Sequence, residues 1–229
     1  MIKKNALFLL LFVVFLAACT GVGNGKDVKT RSVYFDYRVW GDEESGDMTV
    51  RLQYRFAGPG GSSLILKDPG KVEMDGKGLR LDSSKMNGAW YEVIEPVKDF
   101  TGDHVIVFTD IDTKEYKEEF SFRPFALLTN VPPVIARADL IFELSGVDST
   151  DYIKVLMTDT ASFSEGIVRL DTVINGRITI TKEQLTALTN GPIHFELFKD
   201  EDKRVKNGTA RAGKLSISYG LKREFELTD

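Results

Sequence analysis

The chain alternates between hydrophobic and polar residues over most of its length after residue 30. The clearest run places hydrophobic residues at Met48, Val50, Leu52, Tyr54 and Phe56, with one polar residue between each two. Successive side chains of a β-strand point to opposite faces, so this pattern predicts a strand with one buried and one exposed face. Such half-buried strands are typical of antiparallel sheets.

The first half of the chain repeats this pattern in short runs that are separated by turn residues. Asp75-Gly76 stands between two of the runs and predicts a hairpin turn, because glycine readily adopts the positive φ that a tight turn needs. Short strands at this spacing favour a β-sandwich over residues 31–127. The strands are predicted near residues 33–39, 48–56, 64–66, 72–74, 79–81, 90–94, 105–108 and 116–122.

Prolines mark the border to a second series of the same kind. Pro124, Pro132 and Pro133 interrupt strand pairing, since proline lacks the N–H that a ladder needs. We interpret residues 128–229 as a second, Ig-like sandwich. Its strands are predicted near residues 138–144, 153–157, 167–174, 178–180, 193–197, 215–219 and 225–227. The predicted fold is therefore all-β, with two Ig-like antiparallel β-sandwich domains in tandem.

One short helix is predicted inside the second sandwich. Thr181 fits the N-cap position, and Gln184, three residues further on, completes a capping box. Leu185 and Leu188 fall on one helical face, and Asn190-Gly191 supplies a stop signal. We expect this helix to connect two strands.

The first nineteen residues follow a different pattern. Lys3 and Lys4 precede an unbroken apolar run over residues 6–18, which would form a helix about 20 Å long. A hydrocarbon core of about 30 Å needs about 20 residues, so the run predicts a secretory signal and not a permanent membrane span. The run leads directly into Cys19.

The end of that run, Leu16-Ala17-Ala18-Cys19, resembles the processing site of bacterial lipoproteins. Leu16, Ala17 and Ala18 would form the lipobox, and residues 1–18 the signal peptide. The resemblance implies acylation of the Cys19 thiol by fatty acids such as palmitate, cleavage before Cys19, and acylation of the new amine. Two or more acyl chains anchor a protein stably, so the mature protein would be held at a membrane by its N-terminus.

The cysteine count and the net charge limit the kinds of site and partner that the chain can have. Cys19 is the only cysteine, so lipidation would leave the folded body without disulfides or a thiol nucleophile. Processing would leave 211 of the 229 residues and change the formal net charge from −4 to −6, because Lys3 and Lys4 are lost. An acidic chain does not favour a nucleic-acid partner. Residues 19–30, rich in glycine and polar side chains, are predicted to form a flexible tether.

Residues 71–79, together with 82–84 and 87–92, resemble uncharacterised two-domain lipoproteins of the Bacteroidota. The resemblance is spread over the chain, and its clearest motif is the hairpin chemistry around Asp75-Gly76. It implies an extracytoplasmic location and carries no activity.

No catalytic residue, metal site or cofactor is predicted. His104 and His194 are the two histidines, and we interpret both as surface imidazoles on strands. Residues 216–220 come nearest to the nucleophile elbow of a serine hydrolase but begin with the wrong residue. Residues 42–47 could present acidic oxygens to Ca²⁺ but lack EF-hand spacing. The charged residues 200–204 are interpreted as the tip of an exposed turn.

Three aromatic residues form a candidate ligand platform. Trp40, Trp90 and Tyr91 could offer flat surfaces to sugar rings, with Asp and Arg neighbours for the hydroxyl groups. The alternative is that they pack in the core, as tryptophan on a sandwich strand usually does.

Three hydroxyl residues form a candidate modification pattern. Ser149, Thr160 and Thr172 each follow an aspartate, and this pattern resembles the O-glycosylation sequon of Bacteroidota. The alternative interpretation is three ordinary turns at strand edges.

Together these patterns favour a lipid-anchored protein that binds or scaffolds without chemistry of its own. We expect it at the outer membrane, on the periplasmic face, with a protein or glycan partner. Thr20 follows the lipidated cysteine, in place of the aspartate that resembles an inner-membrane retention signal. One alternative is a surface glycan-binding lipoprotein. Another is a carboxylate-based hydrolase, for which the 34 acidic residues offer many pairs.

Overall fold

The computed structural model describes residues 22–25, 28–161 and 164–229. The signal peptide, the lipobox and Cys19 lie outside the described residues, so the inferences drawn from them stay predictions. Within the described ranges, no helix is both long enough and apolar enough to cross a bilayer.

Strands dominate the described chain, as the alternating pattern predicts. Those of the first half are β1 Val22–Asn24, β2 Val33–Asp42, β3 Asp47–Phe56, β4 Ser63–Ile65, β5 Lys71–Met74, β6 Lys77–Gly78, β7 Arg80–Ser84, β8 Gly88–Pro96, β9 Gly102–Thr109, β10 Glu115–Phe122 and β11 Ala126–Leu127. Those of the second half are β12 Val134–Ala136, β13 Leu140–Ser145, β14 Tyr152–Asp159, β15 Ile167–Thr172, β16 Arg177–Ile180, β17 Gly191–Arg204 and β18 Gly213–Thr228.

One large sheet runs through both halves of the molecule. Its strand order is β1-β4-β3-β2-β18-β17-β14-β15, with β8 and β7 added beside β3 and β12 beside β18. Two smaller sheets, β10-β9-β5-β6 and β11-β13-β16, form the second layers. Aromatic rings pack between the layers in both halves. The ring centroids of Tyr54 and Phe108 are 4.7 Å apart in the first half, and those of Phe142 and Phe195 are 4.6 Å apart in the second. The predicted all-β sandwich fold is confirmed.

The long C-terminal hairpin belongs to both sandwiches. β17 and β18 pair with each other over their full length, from Gly191↔Leu227 to Arg204↔Lys214. The segment 213–220 of β18 also pairs in parallel with residues 35–42 of β2. The end of the chain therefore supplies a strand to the sheet of the first sandwich, and the two sandwiches share one layer.

The predicted helix is present where the capping signals place it. Thr181 caps the helix Lys182–Leu185, and its side chain and that of Gln184 form the reciprocal capping box. Leu185 and Leu188 are both buried. A second short helix, Val97–Phe100, was not predicted, because four residues are too few to show a helical period.

Part of the predicted flexible tether is a strand. Val22–Asn24 pairs in parallel with Ser63–Ile65 at the edge of the large sheet. Two glycines permit this close approach, because an added Cβ would lie 3.0 Å from Leu64 Cδ2 at Gly23 and 2.8 Å from the Ile65 carbonyl oxygen at Gly25. The prediction for 19–30 is therefore corrected at residues 22–24, where the glycines serve packing and not only flexibility.

The prediction of a surface imidazole is wrong for His104. Its side chain is buried, with Nδ1 2.8 Å from Asp75 Oδ2, and the Phe100 carbonyl oxygen accepts a hydrogen bond from Nε2 at 2.6 Å. The ring also stacks on Phe100 at 4.1 Å. His194 is exposed beside Glu224, so its prediction is confirmed. His104 thus fixes the Val97–Phe100 helix to the hairpin turn at Asp75.

Candidate functional site

A cleft opens over the C-terminal hairpin where the two covering sheets part. Its floor is formed by Ile217 and Tyr219 of β18 and by the neighbouring positions of β17. One wall is the end of β10 and the residues after it, 121–123, and the other is the segment 148–152 that leads into β14. The cleft has a volume of about 410 Å³. It lies between the sandwiches, and both contribute to it.

The inward-facing residues of β17 change from apolar to charged where the strand enters this cleft. Its inward positions Ile193, Phe195 and Leu197 are buried under the second sandwich. The next positions of the same face, at 199, 201 and 203, are charged and partly exposed. A strand keeps its facing with a period of two, so these charges point into the gap and not out to the opposite face.

Ion pairs order the charged residues of the cleft. Lys199 Nζ lies 2.6 Å from Asp151 Oδ2, and Lys203 Nζ lies 2.6 Å from Glu201 Oε1. Burial raises the pKa of Asp151, but hydrogen bonds from Lys199 and from the Asp148 backbone N–H outweigh it and lower the pKa below 3.8. Burial raises the pKa of the Tyr219 phenol. Asp151 is therefore ionised at neutral pH, and the Tyr219 phenol is neutral.

The pKa shift of Asp151 does not suit the role of a general acid. A glycosidase needs one carboxyl group with a raised pKa to serve as the general acid, and the shift at Asp151 has the opposite direction. The residues that line the cleft, all within the described ranges, include no histidine. An apolar floor flanked by charges of both signs can hold a ligand that combines apolar and charged groups.

The predicted aromatic platform is not continuous. Trp90 and Tyr91 are each only 8% exposed, and Trp40 is 37% exposed. The Tyr91 hydroxyl accepts a hydrogen bond from the Leu66 backbone N–H at 2.8 Å, as a core tyrosine does. Arg51 lies between the two tryptophans, with Cζ 5.2 Å from the Trp40 ring centroid and 4.4 Å from that of Trp90. Of the three rings, Trp40 offers a surface to a ligand.

The three candidate glycosylation residues are all exposed. Ser149 lies in the turn before β14 and stands between two residues that line the cleft. Thr160 follows β14, and Thr172 ends β15. Their accessibility agrees with the hypothesis of modification, which stays a prediction.

The cleft residues were missed because their segment was misread. Residues 200–204 belong to β17 and are not the tip of a turn, which corrects the interpretation made from their mixed charge. The hairpin turn comes later, between Arg204 and Gly213. The signal was available, since continuing the alternation from Ile193 would have carried the strand through these charges and assigned 199, 201 and 203 to the inner face.

Comparison with known proteins leaves the chain without a family. No family model matches it, and no curated protein matches it. A tetra-tandem repeat from the extending region of a large adhesion protein has 12% identity and a TM-score of 0.26, over 84% of this chain and 50% of that one. The structure of DIP-gamma IG1+IG2 has 7% identity and a TM-score of 0.25, over 86% and 98%.

A further similar structure is that of a 1.5-MDa bacterial ice-binding adhesin, with 12% identity and a TM-score of 0.23, over 85% of this chain and 64% of that one. The chain thus spans half the length of the adhesion-protein repeat structure. With TM-scores this low, the similarities carry no argument about what this chain binds.

Proposed function

We propose that this protein is a lipid-anchored extracytoplasmic binding protein that holds a segment of a partner protein in the cleft between its sandwiches. The observation that carries the proposal is the change of β17 from an apolar to a charged inner face where the covering sheets part.

The lining of the cleft favours a peptide over a purely polar ligand. Tyr152, 55% exposed, stands at the rim and offers the larger apolar surface, while Ile217 and Tyr219 lie in the floor and are only 7% and 6% exposed. Arg123 has no ion-pair partner in the described part of the chain and can meet a carboxylate. Aromatic and arginine residues of this kind are enriched where proteins bind one another.

Photo-crosslinking tests the binding site directly. A photoreactive phenylalanine analogue at Tyr152 is expected to give a defined adduct in cells, whereas the same analogue at Met86, 85% exposed in the β7–β8 turn, is not. The substitution Glu201→Lys should reduce the adduct at position 152, since it reverses a charge in the cleft. Equal adducts at both positions, or none at either, would contradict the proposal.

The lipid anchor and the outer membrane are part of the same proposal. They are supported by the lipobox ending in Cys19 and by the basic and apolar residues before it. Wild-type protein is expected in the membrane fraction, and a Cys19→Ala variant is expected to leave it. Protease added to intact cells should spare the wild type and digest it only after the outer membrane is opened.

Surface glycan binding is the second candidate function. Trp40 is partly exposed, and the Arg51 guanidinium beside it can donate hydrogen bonds to hydroxyl groups. Digestion of the wild type on intact cells would favour this candidate. Binding to polysaccharides should then be lost in Trp40→Ala and kept in Glu201→Lys.

A further inference from the structure

The outer face of the large sheet, opposite the cleft, carries a small polar cavity in the first sandwich. Its volume is about 150 Å³, and the residues that form it lie on β2, β3 and β8 and in the turn before β8. A water molecule takes about 30 Å³ in the liquid, so the cavity has room for several. The residues that matter for its chemistry are Asp36, Arg38, Arg51, Gln53, Arg55 and Trp90.

Three guanidinium groups converge on this cavity. Arg38 and Arg51 are direct partners in the β2–β3 ladder, and like charges in that position repel. Arg38 donates two hydrogen bonds to Asp36, at 3.2 and 3.0 Å. Arg51 donates two to Glu92, at 3.1 and 2.7 Å. With Arg55, three positive groups face two carboxylates, so one positive charge is in excess in a chain that is acidic overall.

Two buried donors of this cavity have no acceptor. Arg55 Nε and Trp90 Nε1 are buried and form no hydrogen bond in the described structure. Arg55 Nε lies 3.5 Å from Asp36 Oδ2, near enough for attraction between the charges but without hydrogen-bond geometry. Trp90 is 92% removed from solvent. Buried donors nearly always have partners, in the chain or in ordered water, so both need an acceptor from outside the chain, either a water molecule or a ligand group.

The donors are also held in place before any ligand arrives. Arg51 is fixed by its stacking between Trp40 and Trp90. Arg55 Nη1 donates to the Gly61 carbonyl oxygen at 3.2 Å, and Gln53 Nε2 donates to the carbonyl oxygens of Asn87 and Ala89. Such preorganisation lowers the entropy that binding must overcome.

We propose that this cavity binds an oxyanion, the carboxylate, sulfate or phosphate group of a small acidic molecule. The excess positive charge attracts it, and the forked guanidinium groups match its oxygens. The unpartnered Arg55 Nε and Trp90 Nε1 donate to it. The site is independent of the cleft, because Arg38 and Arg51 lie on the face of the sheet opposite Val39 and Val50, which are buried in the core.

The indole N–H of Trp90 gives a direct readout of binding. The full chain, labelled with ¹⁵N in a non-ionic detergent, has two indole signals, and Trp40→Phe identifies the one from Trp90. Phosphate, sulfate or acetate is added in turn, against sodium chloride at equal ionic strength. The Trp90 signal is expected to move downfield with saturation for at least one oxyanion and not for chloride. Acetate alone would indicate a carboxylate ligand, and phosphate or sulfate a tetrahedral one.

Two matched variants separate this site from general anion effects. Arg55→Gln should weaken binding by about tenfold or more, as expected for the loss of a hydrogen bond to a charged group. Arg177→Gln removes an arginine that is paired with Glu143 in the second sandwich, and binding should not change. If Arg55→Gln fails to fold, Arg38→Gln replaces it. No saturable shift with any oxyanion, or equal affinity in the cavity variant and in Arg177→Gln, would overturn the proposal.

Discussion

Replacing Leu215 with alanine tests whether the C-terminal hairpin holds the first sandwich together. Leu215 is fully buried on the inner face of β18, and its backbone pairs with that of Tyr37 in β2. Both tryptophans, Trp40 and Trp90, lie in the first half of the chain. Tryptophan fluorescence therefore reports on the first sandwich, although the substitution is near the end of the chain.

The expected loss of stability is large. A buried Leu→Ala substitution costs about 2–5 kcal/mol, because it removes buried methyl groups and leaves a cavity. With a loss of about 3 kcal/mol and a urea dependence of about 3 kcal/mol per M for a chain of this size, the midpoint of unfolding falls by about 1 M. The assay is urea unfolding of wild type and variant, followed by tryptophan fluorescence and far-UV circular dichroism.

Two further variants make the result specific. Lys214→Ala changes an exposed neighbour on the opposite face. It should change the free energy of unfolding by less than about 0.5 kcal/mol. Ile180→Ala, buried in β16, should also lower the fluorescence midpoint if the shared sheet makes both sandwiches unfold together. A fluorescence transition that Leu215→Ala leaves unchanged would refute the role of the hairpin.

Three other predictions concern the core, the pH dependence and the surface. Tyr37→Phe leaves the buried Tyr54 hydroxyl without its partner at 3.4 Å and should cost about 1–3 kcal/mol, whereas the double variant with Tyr54→Phe should recover most of it; additive losses in urea titrations would argue against this pairing. Hydrogen bonds from the Thr189 and Ala161 backbone N–H groups lower the pKa of Asp159 from 3.8 to about 2, so its stabilising effect is present above about pH 4 and is lost as the pH falls toward 2. The difference in Tm between wild type and Asp159→Asn should shrink over that range, and a constant difference would speak against the assignment. The intact mass of the mature protein should exceed the mass expected for the lipidated chain by one or more glycans. It should decrease in the triple variant Ser149→Ala, Thr160→Ala, Thr172→Ala. A measured mass equal to that expected for the lipidated chain alone would exclude the modification.

Local patterns predicted most of the strands, and the misses have local causes too. Alternation depends on neighbours in sequence, and so do the capping box at Thr181 and the turn at Asp75-Gly76. His104 shares its facing with Ile106 and Phe108, so the same alternation would have placed it inside. Its polar character was given more weight than its position.

Long-range pairing was beyond the reach of these patterns. Alternation shows which residues of β18 face inward but not which strand lies beside it, and its partner β2 is about 180 residues earlier in the chain. The cleft depends on that pairing. It forms where β17 and β18 extend beyond the two smaller sheets that cover the large sheet. The oxyanion cavity was hidden for a similar reason, since Arg38 and Arg51 become neighbours only when β2 and β3 pair.

The strand β1 connects the predicted lipid anchor to the edge of the large sheet by a short segment. If Cys19 carries the lipid, only three residue steps join it to Val22, a span of at most about 11 Å, and the edge of the large sheet is then held close to the bilayer. Neighbouring strands are about 4.8 Å apart, and the order β1-β4-β3-β2-β18-β17 sets the cleft about 20 Å further out. The strands of the large sheet would then follow one another away from the membrane, and the second sandwich would lie farthest from it.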